Sequence, residues 1–210
     1  MRLSQSQIES MTFQMQSLNF QKRDRTSIFD APSKETSKYI GASLSQLRGD
    51  NKEVEKILTW LNNPKAFLFV YGIPGKGKTH FCSACFEKLV ARYGTNFRYF
   101  SEDDFYSRIK SGWERKWDSS EHIKNLVDTG AVIYDDLGSA GLGSSDWRKE
   151  MIGDLVDTLY RNETPTLIVS NYSPTEIKSM FGDRTASRIF AAEGTVVSTE
   201  TWPDWRNEGK

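Results

Sequence analysis

Gly72-Ile73-Pro74-Gly75-Lys76-Gly77-Lys78-Thr79 fits G-x-x-x-x-G-K-[ST] at every fixed position. No other stretch restricts the fold so tightly. The glycines let the backbone curl until successive N–H groups point inward. The apolar run Ala66-Phe67-Leu68-Phe69-Val70-Tyr71 leads straight into the loop. Bounded by turn residues, such a run suits a strand buried on both faces. A helical stretch opens near Lys78 and continues to about Tyr93. Strand, loop and helix N-terminus together cradle phosphate, because the helix presents its positive end to the same anion. Gly72, Ile73, Pro74, Gly75, Lys76, Gly77, Lys78, Thr79 and His80 are therefore the candidate triphosphate-binding residues. In this pattern Lys78 reaches the β- and γ-phosphates and the Thr79 hydroxyl ligates Mg2+.

The rest of the chain alternates in the same way. Val54, Ile57, Leu58 and Leu61 mark one face of a helix that Asn62-Asn63-Pro64 ends. Phe97 to Phe100 reads as a second strand, and residues 102–128 as two helical pieces broken near Gly112. Ala131 to Tyr134 reads as a third strand, ending in Asp135-Asp136. A Gly/Ser loop over 138–145 leads into a helix from Asp146 to about Arg161. Thr166 to Val169 is a fourth strand ending at Ser170-Asn171, followed by short helices over 174–180 and 183–191 and a last strand over 195–199. The alternation predicts an α/β fold, a parallel five-stranded sheet covered by helices on both faces. Residues 1–48 are polar and read as an N-terminal arm, with the domain over 49–210. In the arm, Ile8, Met11, Met15 and Leu18 recur at helical spacing, as an element lying on the domain or as one docking a partner.

In P-loop enzymes an Asp at a strand end shares the Mg2+ site. Asp135 fits that role, and Asp136 beside it is the candidate base for the attacking water. Asn171 stands at the carboxyl end of a strand, where open α/β sheets bind ligands. It either holds the lytic water or caps the strand, since Asn171-Tyr172-Ser173-Pro174 is also good turn chemistry. Arg184 and Arg188 share one helical face. They are either solvated or supply cation to a γ-phosphate, in cis or across a subunit boundary.

Lys and Arg number 28, as do Asp and Glu, so any nucleic-acid contact must come from a local patch. Cys82 and Cys85 have redox or half-zinc spacing. There is no second cysteine pair, and the histidines are His80 and His122, so two small core thiols are expected. No apolar run reaches the ~20 residues of a membrane span, and the N-terminus lacks an apolar stretch of signal type. A soluble, cytoplasmic chain with no membrane partner is expected.

The order of phosphate loop, Asp-Asp, Ser-Asn and Gly-Asp-Arg-x-x-x-Arg resembles the AAA+ ATPases of the DnaC/IstB type, bacterial replicative helicase loaders with relatives among transposition helpers. The resemblance rests on GIPGKGKTHF (72–81), YFSEDDFYSRIK (99–110), VIYDDLG (132–138), the helix from Trp147 through Tyr160, PTLIVSNYS (165–173), GDRTASRI (182–189) and TETWPDWR (199–206). It implies an ATP- and Mg2+-dependent ATPase with Asp135 as the Walker B carboxylate, Asp136 as the catalytic acid and Asn171 as sensor 1. It further implies Arg188 as an arginine finger acting on a neighbour's ATP and Arg184 as a further arginine reading the nucleotide. The implied partners are a replicative helicase, single-stranded DNA and other copies of the chain. The family inserts a helical element after the second strand, here about residues 103–127. Its Trp113, Arg115, Lys116 and Trp117 suit single-strand stacking and phosphate contact, or alternatively inward packing. Tyr134 before the acid pair and Lys76 in the loop depart from the family's usual residues, and the arm is short, with no four-cysteine zinc module. A transposition helper, a small-molecule kinase and a non-hydrolysing ATP-bound adaptor are the other readings.

Overall fold

The structure is a computed structural model. It describes residues 51–93, 97–114, 118–141, 143 and 145–204. The expected arm, and the Arg115, Lys116 and Trp117 cluster with the Trp113 side chain, lie outside the described residues.

The chain runs α1 (Asn51–Asn62), β1 (Phe67–Tyr71), α2 (Lys78–Tyr93), β2 (Arg98–Ser101), α3 (Glu102–Glu114), α4 (Ser119–Val127), β3 (Val132–Leu137), α5 (Asp146–Arg161), β4 (Thr166–Ser170), α6 (Pro174–Ile189) and β5 (Thr195–Ser198). The strands form one sheet in the order β2-β3-β4-β1-β5. All its ladders are parallel. A parallel sheet needs cover on both faces, and the side chains divide accordingly. Phe67 and Phe69 of β1, Tyr134 of β3 and Ile168 of β4 enter one core with Phe105, Ile109, Ile123, Leu155 and Ile177 from α3 to α6. Leu68, Val70, Ile133, Leu167 and Val169 enter the other, with Ile57 and Trp60 of α1 and Phe81, Cys82, Cys85 and Leu89 of α2. The expected sheet, covered on both faces, is what forms.

Two expectations shift. The break between α3 and α4 does not fall at Gly112, which is buried within α3. The signal that starts α4 is Asp118, whose carboxylate accepts the Glu121 N–H as an N-cap. The third strand runs one residue past the acid pair, to Leu137. The helices expected over 174–180 and 183–191 both form; they share the label α6 and meet at a kink at Gly182, with φ 83° and ψ 168°. A residue with a side chain would be strained there.

The edge strand β5 is capped by α1. Glu53 accepts the Ser198 N–H, and Lys56 donates to the Val196 carbonyl. This occupies edge groups that would otherwise template another strand. Among the described residues no helix is long and apolar enough to cross a membrane.

Candidate functional site

The sheet order puts the carboxyl ends of β3, β4 and β1 side by side. These ends carry Asp135-Asp136, Asn171 and the phosphate loop, so Asn171 stands on the strand between the other two. Open α/β sheets bind ligands at such a crevice.

The loop is shaped by backbone that glycine permits. Gly75 has φ 93° and Gly77 φ 75°, in the left-handed region. Gly72, at φ 151°, is needed for a close approach, because a Cβ there would meet Thr199 Oγ1 at 2.2 Å. Lys78 opens α2 with its side chain folded back over the loop. Its Nζ donates to the carbonyls of Gly72 at 2.6 Å and Ile73 at 2.9 Å, and the residue is only 6% exposed. Lys76 points elsewhere, donating from Nζ to the Trp202 carbonyl at 2.6 Å. Trp202 is buried edge-on against Phe81. The unusual lysine of the loop thus fastens it to the segment after β5. Ile73 and Pro74 are exposed, and His80 is half-buried, its imidazole held below the usual range by desolvation.

Asp135 is 3% exposed and meets the first turn of α2. Alternation explains this: Tyr134 points into the core on the α3–α6 face, so Asp135 points to the α2 face. The Thr79 hydroxyl hydrogen-bonds its carboxylate, as do the Asp136 N–H at 3.0 Å and Tyr99 Oη at 2.8 Å. Burial, then the neighbouring Asp136 charge, push the Asp135 carboxyl up to about 6 against those three hydrogen bonds. Between Tyr134 and Leu137 the β3·β4 register slips, so β3 takes three steps where β4 takes two. Asp136 sits in that bulge with φ 58° and is partly exposed. The bulge sets consecutive carboxylates apart: Asp135 is buried and Asp136 is partly exposed.

Asn171 is exposed on its turn. Beneath it, buried Ser170 donates from Oγ to the Leu137 carbonyl at 2.6 Å and accepts the Tyr172 N–H at 3.0 Å. One hydroxyl therefore ties the tip of β3 to the Asn171 turn. Ser173 then caps α6 in a reciprocal box with Glu176. Both the strand-end turn chemistry and the crevice position of Asn171 are present.

The sequence reading missed Glu102. It opens α3, is 1% exposed, and accepts the Gly138 N–H and the Ala140 N–H, the latter at 3.4 Å. Desolvation raises its carboxyl, and those backbone hydrogen bonds oppose the rise. Glu102 thus clamps the loop that follows Asp136. Its only sequence signal is the acidic run Glu102-Asp103-Asp104, which reads as an ordinary solvated helix start.

Arg184 and Arg188 are not gathered at the loop. Both reach Asp157 of α5: Arg184 Nη2 donates to Oδ2, and Arg188 Nη1 lies 2.7 Å from Oδ1. Cys82 and Cys85 are free, fully buried core thiols, as expected, and burial raises both.

Oxygen ligands suit Mg2+, and the Thr79 hydroxyl beside the Asp135 carboxylate supplies two from separate elements. The residues present fit an ATP·Mg2+ site.

Comparison with known proteins agrees. The family model described as IstB-like ATP binding protein matches residues 42–190. The replicative helicase loader DnaC of Escherichia coli (strain K12) is 25% identical over 145 residues, 69% of this chain and 58% of that protein. The replicative helicase loader DnaI of Bacillus subtilis (strain 168) is 32% identical over 117 residues, 54% of this chain and 36% of that protein. The chain thus spans between about a third and little more than half the length of these curated relatives. A crystal structure of the DnaC helicase loader superposes with a TM-score of 0.63 at 25% identity, covering 76% of this chain and 98% of that one. AMPPCP-bound DnaA from Aquifex aeolicus gives 0.62 at 22% identity, over 79% of this chain and 52% of that one, a likeness of fold.

Proposed function

The chain belongs to the IstB-like ATP-binding proteins of the AAA+ class, and from that premise we propose that it is an ATP-dependent loader placing a replicative DNA helicase on single-stranded DNA. ATP binding and slow, partner-stimulated hydrolysis act as its switch in the cytoplasm. One observation carries the reading: the Thr79 side chain, in the first turn after the phosphate loop, interacts with the Asp135 carboxylate of β3. Relatives named as helicase loaders, at 25% and 32% identity, support the choice of partner.

In this reading the loop amides and the α2 N-terminus hold the phosphates. Lys78 exchanges the Gly72 and Ile73 carbonyls for phosphate oxygens. Thr79 and Asp135 would hold Mg2+, which when bound would supply charge neutralisation at the phosphates. Asp136, raised by the bulge, and Asn171 on the adjacent strand end orient the water, with Asp136 accepting its proton. Arg188 acts on the triphosphate of a neighbouring copy, with Arg184 beside it.

Isothermal titration with a slowly hydrolysed ATP analogue tests the nucleotide step; unchanged affinity in Lys78→Ala refutes it. Affinity capture on Asp136→Asn, charged with ATP, tests the partner: a helicase supports the loader. Capture of a transposase instead supports the second reading, an IstB-type transposition helper, which the family match favours.

A further inference from the structure

Asp157 lies in the middle of α5 with its side chain only 8% exposed, and two guanidinium groups of α6 share it. The two contacts differ in kind. Arg184 Nη2 makes an aligned hydrogen bond to Oδ2, although the rest of that side chain is 77% exposed. Arg188, 22% exposed, approaches Oδ1 at 2.7 Å as an ion pair, and Oδ1 receives no aligned hydrogen bond. Arg188 Nη1 also donates to the Arg184 carbonyl at 3.3 Å. One carboxylate thus has one directional partner and one that is held by charge alone.

A buried carboxylate deprived of its only counter-ion is strongly destabilising. A carboxylate with two counter-ions can release one and remain compensated. The arginines stand beyond Gly182, whose positive φ kinks α6 and where added bulk would meet nothing within 4 Å.

We propose that Asp157 is the positioning residue for Arg188, and that Arg184 is the retained counter-ion that lets Arg188 leave Asp157 for a neighbour's triphosphate. This rests on the trans-acting reading of Arg188 given above. It assigns Arg184 to Asp157 rather than to the nucleotide.

The first test needs no partner. Melting temperatures of the full chain are compared for Arg184→Ala, Arg188→Ala and the double variant, each with Asp157 intact and with Asp157→Asn. Either arginine alone compensates Asp157, so each single variant loses about 3 °C or less, whereas the double loses about 10 °C or more. Asp157→Asn removes that excess. Additive losses, or an excess that survives Asp157→Asn, overturn the proposal.

The second test measures ATP hydrolysis per molecule across a protein-concentration series with an oligo-thymidine strand. Arg184→Ala traps Arg188 on Asp157 and lowers the assembly-dependent rate about tenfold, equivalent to about 1.4 kcal/mol. Asp157→Asn in the same chain restores the rate to that of Asp157→Asn alone. Without that restoration Arg184 acts on the nucleotide itself, and the proposal falls. A rate indifferent to concentration and to Arg188→Ala refutes the trans-acting reading, and the release with it, whatever the melting series gives.

Discussion

The phosphate-loop corner and the arginine face both hold cationic side chains in place, by different physical means. At the corner, backbone fixes every group. Lys78 and Thr79 open α2 directly after left-handed glycines, and the pleat of β3 turns Asp135 toward them. On the arginine face, a side chain on another helix does the holding, through Asp157. A group seated by the backbone changes partners only within its own loop, whereas a group ion-paired to another helix can exchange that partner for one farther away. The corner is therefore suited to binding, and the face to responding to a neighbour.

Substitutions can break that contrast. Lys78→Ala removes a buried cation from the anion cradle and should weaken ATP binding by about 4 kcal/mol, on the order of 10³-fold, by calorimetric titration. Arg188→Ala should leave the same titration nearly unchanged; an equal loss would erase the distinction between the two regions.

Asp135→Asn should stabilise the nucleotide-free, magnesium-free protein. With the carboxyl raised from 3.8 to about 6, the folded state holds the proton more tightly than the unfolded chain, and ionisation at pH 7 costs up to about 3 kcal/mol. That stability is fully present below pH about 4 and is lost as pH rises through about 6. The gain of Asp135→Asn over wild type in urea should therefore be near zero at pH about 4, grow to pH about 6, and then level. A gain that shrinks as pH rises would mean the burial cost has been misjudged.

Glu102→Gln places a carboxamide against two backbone donors and should cost about 2 kcal/mol in urea unfolding. It should also lower hydrolysis more than ATP affinity, since it loosens the loop after Asp136. Lys76→Ala, which cuts the side-chain tether from the loop to Trp202, should cost about 1 kcal/mol and barely alter affinity.

How much was legible in the sequence follows the same line. The phosphate loop is a local pattern, and its strand, turn and helix are encoded within twenty or so residues. Asp135 was found because an apolar strand runs into it. The bulge that lifts Asp136 was invisible, since Val132-Ile133-Tyr134-Asp135-Asp136-Leu137 carries no glycine to announce a register change. Gly112 misled because a buried glycine inside a helix is tolerated, while the N-cap at Asp118 went unread. Asp157 and Glu102 looked like ordinary helical carboxylates. Their partners lie on other elements, Arg184 and Arg188 in one case and the loop amides of Gly138 and Ala140 in the other. Only the packing of α5 on α6, and of α3 beside β3, brings them together, and no spacing rule contains that.

The left-handed backbone of Asp136 narrows what evolution and the bench can place there. Asn and Gly accept φ near 58° readily, whereas a β-branched residue does not. An amide at this position keeps the original turn while removing the carboxylate, so the Asn variant tests chemistry without disturbing architecture. A Val or Ile variant would unsettle the turn first, and its silence would say nothing about proton transfer.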